Sequence, residues 1–252
     1  MTRMRGDVSG LSTVLQTVLQ GLLPAQCALC AAPCQQALCG DCRAQFLPQL
    51  MQRPRCRQCA NPLPPMVDAG LLCARCLRRP PAFDATVTAG DYAPPVDQLL
   101  LQLKFAARLG LAPLFAQLLA QAAAQQPGWQ QPDFLCPVPL GPRRLVERGY
   151  NQSLEIARPL ARLLAVPLLA RLAVRVRETP AQSGVAPRER RANLARAFEV
   201  APAYAWQLGR CHIGIVDDVM SSGHTANALA AALKRHGAAR VSVLVAARTP
   251  PH

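Results

Sequence analysis

One stretch of this chain, Ile213 to Thr225 (IGIVDDVMSSGHT), narrows its fold more than any other. An apolar run, Ile213 to Val216, ends in two adjacent carboxylates, Asp217 and Asp218. A short Ser/Gly/Thr loop follows, and then an Ala- and Leu-rich helical pattern from Ala226 to His236. Gly237 stops that helix, with Lys234, Arg235 and His236 in its last turn. Val241 to Ala246 reads as a further buried strand. Strand, loop, helix and strand in this order make a parallel unit, so the fold class is α/β, a parallel sheet flanked by helices. A small-residue loop at the C-terminal end of a strand offers backbone N–H groups to a phosphate, and the helix N-terminus adds its dipole. Carboxylates beside it can accept hydrogen bonds from the hydroxyls of a ribose.

The chain has 252 residues, room for one α/β domain and a small module. Eight of its 11 cysteines form four Cys-x-x-Cys pairs: Cys27/Cys30, Cys39/Cys42, Cys56/Cys59 and Cys73/Cys76. Each pair presents two thiolates from one tight turn, and two pairs complete a tetrahedral zinc site. The spacing therefore predicts two structural zincs, with the first pair joined to the second and the third to the fourth, because that keeps the loops short. Cys34 is left over. Such spacing in a chain without a signal-peptide pattern points to zinc in a reducing, cytoplasmic setting, not to a secreted disulfide lattice. No segment has the roughly 18 uncharged apolar residues that a membrane helix needs. Residues 8–23 have the spacing of a short amphipathic helix.

The net charge of +14 is unevenly spread. Residues 1–80 carry +6 and residues 143–196 carry +8, while residues 81–142 carry −2. Basic blocks of this kind suit polyanions, nucleic acid or a phosphorylated small molecule. Ala85 to Tyr92 reads as a strand, and Val96 to Gln126 as helix broken near Gly110 and Pro113. Lys104 lies on its apolar face, either snorkelling to solvent or directed at a phosphate. Phe134 to Val138 is a second strand, and Gly141 to Ser153 leads on into a helix to Leu164. Arg143, Arg144 and Arg148 gather at that strand's end, where ligands bind in open parallel sheets. Residues 171–198 are a long polar stretch with Pro180, Gly184 and Pro187, the composition of a binding loop or of a solvated β-arm.

With these residues in view, Asp217–Thr225 resembles the signature of type I phosphoribosyltransferases, which bind phosphoribosyl pyrophosphate (PRPP). The chain as a whole resembles the ComF family of competence proteins (ComFC- and GntX-type), in which a double zinc ribbon precedes a type I phosphoribosyltransferase-like domain. The resemblance rests on the four Cys pairs, Leu103-Lys104-Phe105, Pro137 to Leu140 with Arg144, and Arg148 to Gln152. Thr179 with Gln182, Arg190 with Asn193, Ala197-Phe198 and the signature itself complete it. Ser221-Ser222-Gly223 stands where the family often has Thr-Thr-Gly, and keeps the hydroxyls.

The resemblance implies an N-terminal helix at 1–26, a double ribbon at 27–79 and a phosphoribosyltransferase-like domain at 82–250. It implies that Asp217 and Asp218 hold the ribose hydroxyls of PRPP, and that Ser221, Ser222, Gly223, His224 and Thr225 wrap its 5′-phosphate. The segment from Pro139 would be the pyrophosphate loop, with Lys104, Arg143, Arg144 and Arg148 as anion contacts, Mg²⁺ bound with the PRPP, and 175–193 a hood. It also implies a role in DNA uptake and natural transformation, with single-stranded DNA and other uptake or recombination proteins as partners. Two functions follow: a phosphoribosyl transferase of unspecified acceptor, or a non-enzymatic single-strand binder that uses the zinc module and the arginine-rich surface. Scarce aromatics (two Trp, three Tyr) give the second few stacking platforms.

Overall fold

The computed structural model describes residues 26–51, 53–66, 70–176 and 197–250. It divides into two compact units, one ending at Pro48 and one from Gln49 onward. The helix expected over 8–23 and most of the hood expected over 175–193 lie outside the described residues.

In the first unit, Cys27–Cys30 forms a turn closed by Ala31 N–H to Cys27 O (3.0 Å) and Cys27 N–H to Ala32 O (2.9 Å). Helix α1 (Gly40–Phe46) starts immediately after Cys39 and carries Cys42. The second unit repeats the device. Ala60 N–H bonds Cys56 O (2.8 Å), Cys56 N–H bonds Asn61 O (2.8 Å), and helix α2 (Ala74–Arg78) starts after Cys73 and carries Cys76. Ala31 and Ala60 take the same left-handed φ, 59° and 54°. The local repeat is legible as Cys-Ala-x-Pro at 30–33 and Cys-Ala-x-Pro at 59–62.

The second unit continues as a parallel α/β sheet. Its strands are β1 (Ala85–Thr88), β2 (Phe134–Pro137), β5 (His212–Met220) and β6 (Arg240–Arg248), in the spatial order β1-β6-β5-β2, all parallel. A separate antiparallel pair joins β3 (Ala173–Arg175) to β4 (Phe198–Val200). Helices α3 (Val96–Phe105), α4 (Ala112–Gln125), α5 (Pro142–Arg148), α6 (Gln152–Leu164) and α7 (His224–Arg235) complete the unit. Helix α4 buries Phe115, Ala116 and Leu119, and α6 buries Ile156, Ala157 and Leu160, and the two pack together against the sheet. Helix α7 packs Leu229 and Leu233 into a buried cluster with Ile213, Ile215, Val241 and Val243. Cys56, Cys59 and Cys76 belong to that same cluster, so the second ribbon is part of the sheet's own core. Gly214 in β5 is required by close packing: a Cβ there would meet Leu135 Cδ2 at 2.7 Å and Pro132 Cγ at 2.9 Å.

The expected fold class is the one observed, and the element limits differ in three places. Strand β5 runs on through both acids to Met220, because β6 extends to Arg248 and pairs with it as far as Met220↔Arg248. The loop is thereby confined to Ser221–Gly223, and α7 starts at His224 instead of Ala226. The segment read as a loop after Pro139 forms α5, capped by Gly141 with Pro142 in the first turn and ended by Gly149 at φ 78°. Ala85–Tyr92 is strand only to Thr88. Among the described residues no helix is long and apolar enough to cross a membrane.

Candidate functional site

The two sets Cys27/Cys30/Cys39/Cys42 and Cys56/Cys59/Cys73/Cys76 each bring four sulfurs within 4.8 Å of one another. Cys30 and Cys39 sulfurs are 3.6 Å apart, as are those of Cys59 and Cys73. Zn–S bonds of about 2.3 Å arranged as a tetrahedron space their sulfurs by roughly 3.8 Å, so both sets fit a structural zinc, paired in sequence order. The donor chemistry agrees. The hydrogen bond from the Cys59 thiol draws Cys56 down to about 4, while burial first pushes Cys76 up to about 12. In the first set, backbone N–H groups of Cys30 and Cys39 overcome burial and draw Cys27 down to about 6. A thiol that coordinates zinc gives up its proton to the bond. Cys34 lies outside both sets and donates to Gln36 O (2.9 Å).

At the C-terminal end of the sheet, Asp217 Oδ1 accepts from Ser153 Oγ (2.9 Å) and from Asp218 N–H (2.9 Å). Burial, and then the neighbouring Asp218 charge, raise the Asp217 carboxyl well above its ordinary range. Asp218 is 5% exposed. Its Oδ2 faces Lys104 Nζ at 3.3 Å, an ion pair whose angles make no hydrogen bond, and the atom has no hydrogen-bond donor among the described residues. An acceptor buried without a donor is costly, so Asp218 Oδ2 is set for a donor such as a hydroxyl.

Lys104, Arg144 and Arg148 line one cavity of about 580 Å³ with Phe105, Glu147 and Tyr150. Arg148 stacks over the Phe105 ring at 5.4 Å and donates to Gln152 Oε1 (2.5 Å), while Tyr150 OH donates to Leu103 O, tying α5 to the end of α3. Arg143 is separate, donating to Glu147 one turn on (2.7 Å) and absent from the cavity lining. Asn151 caps α6, accepting from Ser153 N–H (3.0 Å) and donating to Val138 O (3.0 Å).

The loop Ser221–Gly223 is held by its carbonyls. Arg248, 2% exposed at the end of β6, donates to Met220 O (2.8 Å), Ser221 O and Thr249 O (2.5 Å). The same guanidinium donates to Cys59 O (2.9 Å) and Asn61 Oδ1 in the second ribbon. Arg75 Nη2 donates to Ser222 O (2.8 Å). Gly223 takes φ 77°, and Ser222 Oγ meets His224 Nδ1 at 3.0 Å. With the carbonyls tied back to two arginines, the first-turn amides of α7, of which His224 N–H also meets Ser222 Oγ (3.5 Å), point out of the helix start and can serve an anion. Burial lowers the Arg248 pKa, and the Cys59 sulfur opposes that. Four thiolates around one Zn²⁺ leave a net negative charge, the counter-charge for a buried arginine that has no carboxylate partner among the described residues. Sequence reading did not single out Arg248 or connect Arg75 to the loop. The one available signal was a charged residue closing an otherwise apolar strand.

A family model described as "Double zinc ribbon domain" matches residues 18–77. The "DNA utilization protein YhgH" of Escherichia coli O157:H7 is 36% identical over 230 residues, 90% of this chain and 98% of that protein. The Salmonella typhimurium protein of the same name matches equally. The "Competence protein F" of Haemophilus influenzae is 30% identical over 217 residues, 85% of this chain and 91% of that one. Among solved structures, a glutamine PRPP amidotransferase from B. subtilis complexed with ADP and GMP overlaps 58% of this chain and 30% of its own, at 15% identity and TM-score 0.39. A purine phosphoribosyltransferase from Pyrococcus horikoshii overlaps 65% and 87%, at 15% identity and TM-score 0.30.

Proposed function

The chain belongs to the ComF family of competence and DNA-utilization proteins, and we propose that it binds PRPP or a close phosphoribosyl relative in the service of DNA uptake. In this reading residues 82–250 are the ligand-binding domain, 27–79 the double ribbon and 1–26 an N-terminal helix, in a cytoplasmic protein. The observation that carries it is Asp218 Oδ2 near the end of β5, a buried carboxylate oxygen that pairs with Lys104 Nζ (3.3 Å) and, among the described residues, accepts no hydrogen bond. A ribose hydroxyl supplies the missing donor. Asp217 holds the other hydroxyl, and Ser221–Thr225 receive the 5′-phosphate. Lys104, Arg144 and Arg148 are the cations that answer the pyrophosphate, with Arg143 engaged by Glu147. Mg²⁺ prefers oxygen ligands and retained water, and the pyrophosphate and ribose oxygens of the ligand are the set that would hold it. Phosphoribosyl transfer asks the protein for positioning and charge stabilisation, not for a nucleophile, so the groups above would suffice for turnover given an acceptor.

Calorimetric titration with PRPP and Mg²⁺ tests the reading. Saturable binding by the wild-type chain, weakened at least about tenfold by Asp218→Asn, is the expected result. Absence of binding by a folded, zinc-loaded wild-type chain overturns it.

Single-stranded DNA binding without turnover is the second reading, favoured by the +6 and +8 blocks of charge. Binding to an oligothymidylate that weakens steeply with salt and is unchanged by Asp218→Asn would support it.

A further inference from the structure

The loop Ser221–Gly223 has a second side. There, Arg75, Arg78, Arg79, Ser222 and His224 line a cavity of about 500 Å³. The three arginines come from α2 and the residue after it, the helix that carries the zinc ligand Cys76. All three are exposed, and among the described residues no carboxylate lies within ion-pair distance of any of them. Arg75 is fixed at the loop by its bond to Ser222 O. The cavity adjoins a second one, of about 300 Å³, that shares Arg75, Arg79, Ser222 and His224 and continues along α7 to Arg235. Lys104, Arg144 and Arg148 line neither of these cavities.

The arrangement concentrates positive charge on the ribbon side of the loop, with no acid among the described lining residues. Guanidinium groups grouped in this way match the oxygens of a phosphate, because their donors come in forks. A phosphate seated on the α7 amides would have these arginines at its outer side, where the next phosphate of a chain would lie.

We propose that Arg75, Arg78, Arg79 and His224 form a second phosphate subsite, which takes a phosphoryl group linked beyond the one held by the loop. Its position next to the loop rests on the phosphate-binding reading of Ser221–Thr225. The subsite's own charge and cavity do not depend on that reading. The chemistry is a phosphate chain, supplied by a small polyphosphate or by the backbone of an oligonucleotide.

The test uses the full zinc-loaded chain and the double variant Arg78→Ala/Arg79→Ala, whose side chains are exposed and ligate no metal. The probes are inorganic tripolyphosphate, a 5′-phosphorylated oligothymidylate labelled at its 3′ end, and PRPP with Mg²⁺. The control, Arg162→Ala/Arg171→Ala, removes the same charge from exposed positions elsewhere. The double variant is expected to lose about tenfold in affinity for at least one of the first two probes. For the oligonucleotide, the slope of log affinity against log salt should fall by roughly 1–2. Loss for tripolyphosphate alone assigns a small polyphosphate, and loss for the oligonucleotide assigns a strand. PRPP affinity should stay within about twofold, since a single terminal phosphate does not reach the subsite. If wild type ignores PRPP yet the double variant loses a phosphate-chain probe, the subsite stands and the phosphoribosyl reading falls. Equal binding by wild type and double variant, equal loss in the control, or no binding of either chain probe by wild type overturns the subsite.

Discussion

Arg248→Met cuts the link between the second ribbon and the phosphate loop, and its cost can be worked from the structure. Methionine approximates the length of the arginine stem and fills the space without a polar atom that needs a partner. Met220 O keeps Thr249 N–H as a donor (3.1 Å), and the carbonyl of exposed Ser221 can turn to water. Cys59 O and the side chain of Asn61, which is 7% exposed, have no other donor among the hydrogen bonds of the described residues. Each buried acceptor left unsatisfied costs about 1–3 kcal/mol, so the pair costs on the order of 4 kcal/mol. For a domain of this size, that lowers Tm by roughly 8–16 °C.

Differential scanning fluorimetry measures the shift, and a chromogenic zinc chelator reports how readily the metal leaves. Zinc should leave the second Cys set faster in Arg248→Met, because Cys59 loses both its carbonyl anchor and a neighbouring positive charge. Arg248→Lys should fall between variant and wild type, since one ammonium restores the charge but cannot reach acceptors on both segments. A Tm within about 2 °C of wild type for Arg248→Met, with unchanged zinc release, would refute the reasoning.

Asp217 binds its proton more tightly folded than unfolded, so the folded state is favoured at low pH and loses stability as pH rises from about 4 through the raised folded value. Asp217→Asn keeps an acceptor for Ser153 and Asp218 N–H, so it should leave acid stability unchanged and raise Tm at neutral pH, as melts at pH 3.5 and pH 7.5 (both about) would reveal. Gly223→Ala puts a Cβ at φ 77°, which costs about 1–2 kcal/mol, and reorienting the loop should weaken PRPP binding by about tenfold in calorimetry. Cys34→Ser should retain zinc in both Cys sets, and Cys30→Ser should empty the first alone, by elemental analysis of the purified protein. His212 has its pKa lowered by burial first and then by Arg240, so the stability that depends on its neutral form is present above about pH 6.5 and lost as pH falls; His212→Gln should flatten that acid slope in urea melts.

The sheet was legible in the sequence because its strands are short apolar runs bounded by breakers, and the acids closed the strongest of them. The zinc sets were legible because ligand spacing is local. Strand ends were less so: β5 continues past its acids because of a partner strand that no local pattern describes. The arginines of α5 show a legible feature that was missed. Arg144 and Arg148 are four residues apart, as are Arg143 and Glu147, so a helix over 142–148 places the first two together and turns Arg143 to the glutamate. The Gly141-Pro142 start and Gly149 end supply the signal for that helix. Arg75 has no such signal, and Arg248 shows only as a charge closing an apolar strand. Their partners at the ribbon and the loop lie 187 and 147 residues away in the chain, and 28 basic residues compete for the role.

Those two arginines also change what the second zinc would do. A ribbon on a linker could lose its metal and leave the sheet intact. Here Cys56, Cys59 and Cys76 lie in the same buried cluster as Ile213 and Ile215 of β5, the strand that carries the acids. The carbonyls of Met220, Ser221 and Ser222 are oriented by guanidinium groups, one of them anchored to Cys59 O and the other carried between Cys73 and Cys76. Orienting the carbonyls of a loop fixes where its amides point, and an anion site depends on that direction more than on the number of donors. Removing zinc from the second set would therefore loosen the phosphate loop before it unfolded the sheet. A phosphate ligand should in turn slow zinc loss from that set, because whatever binds only the ordered loop stabilises the structure that orders it.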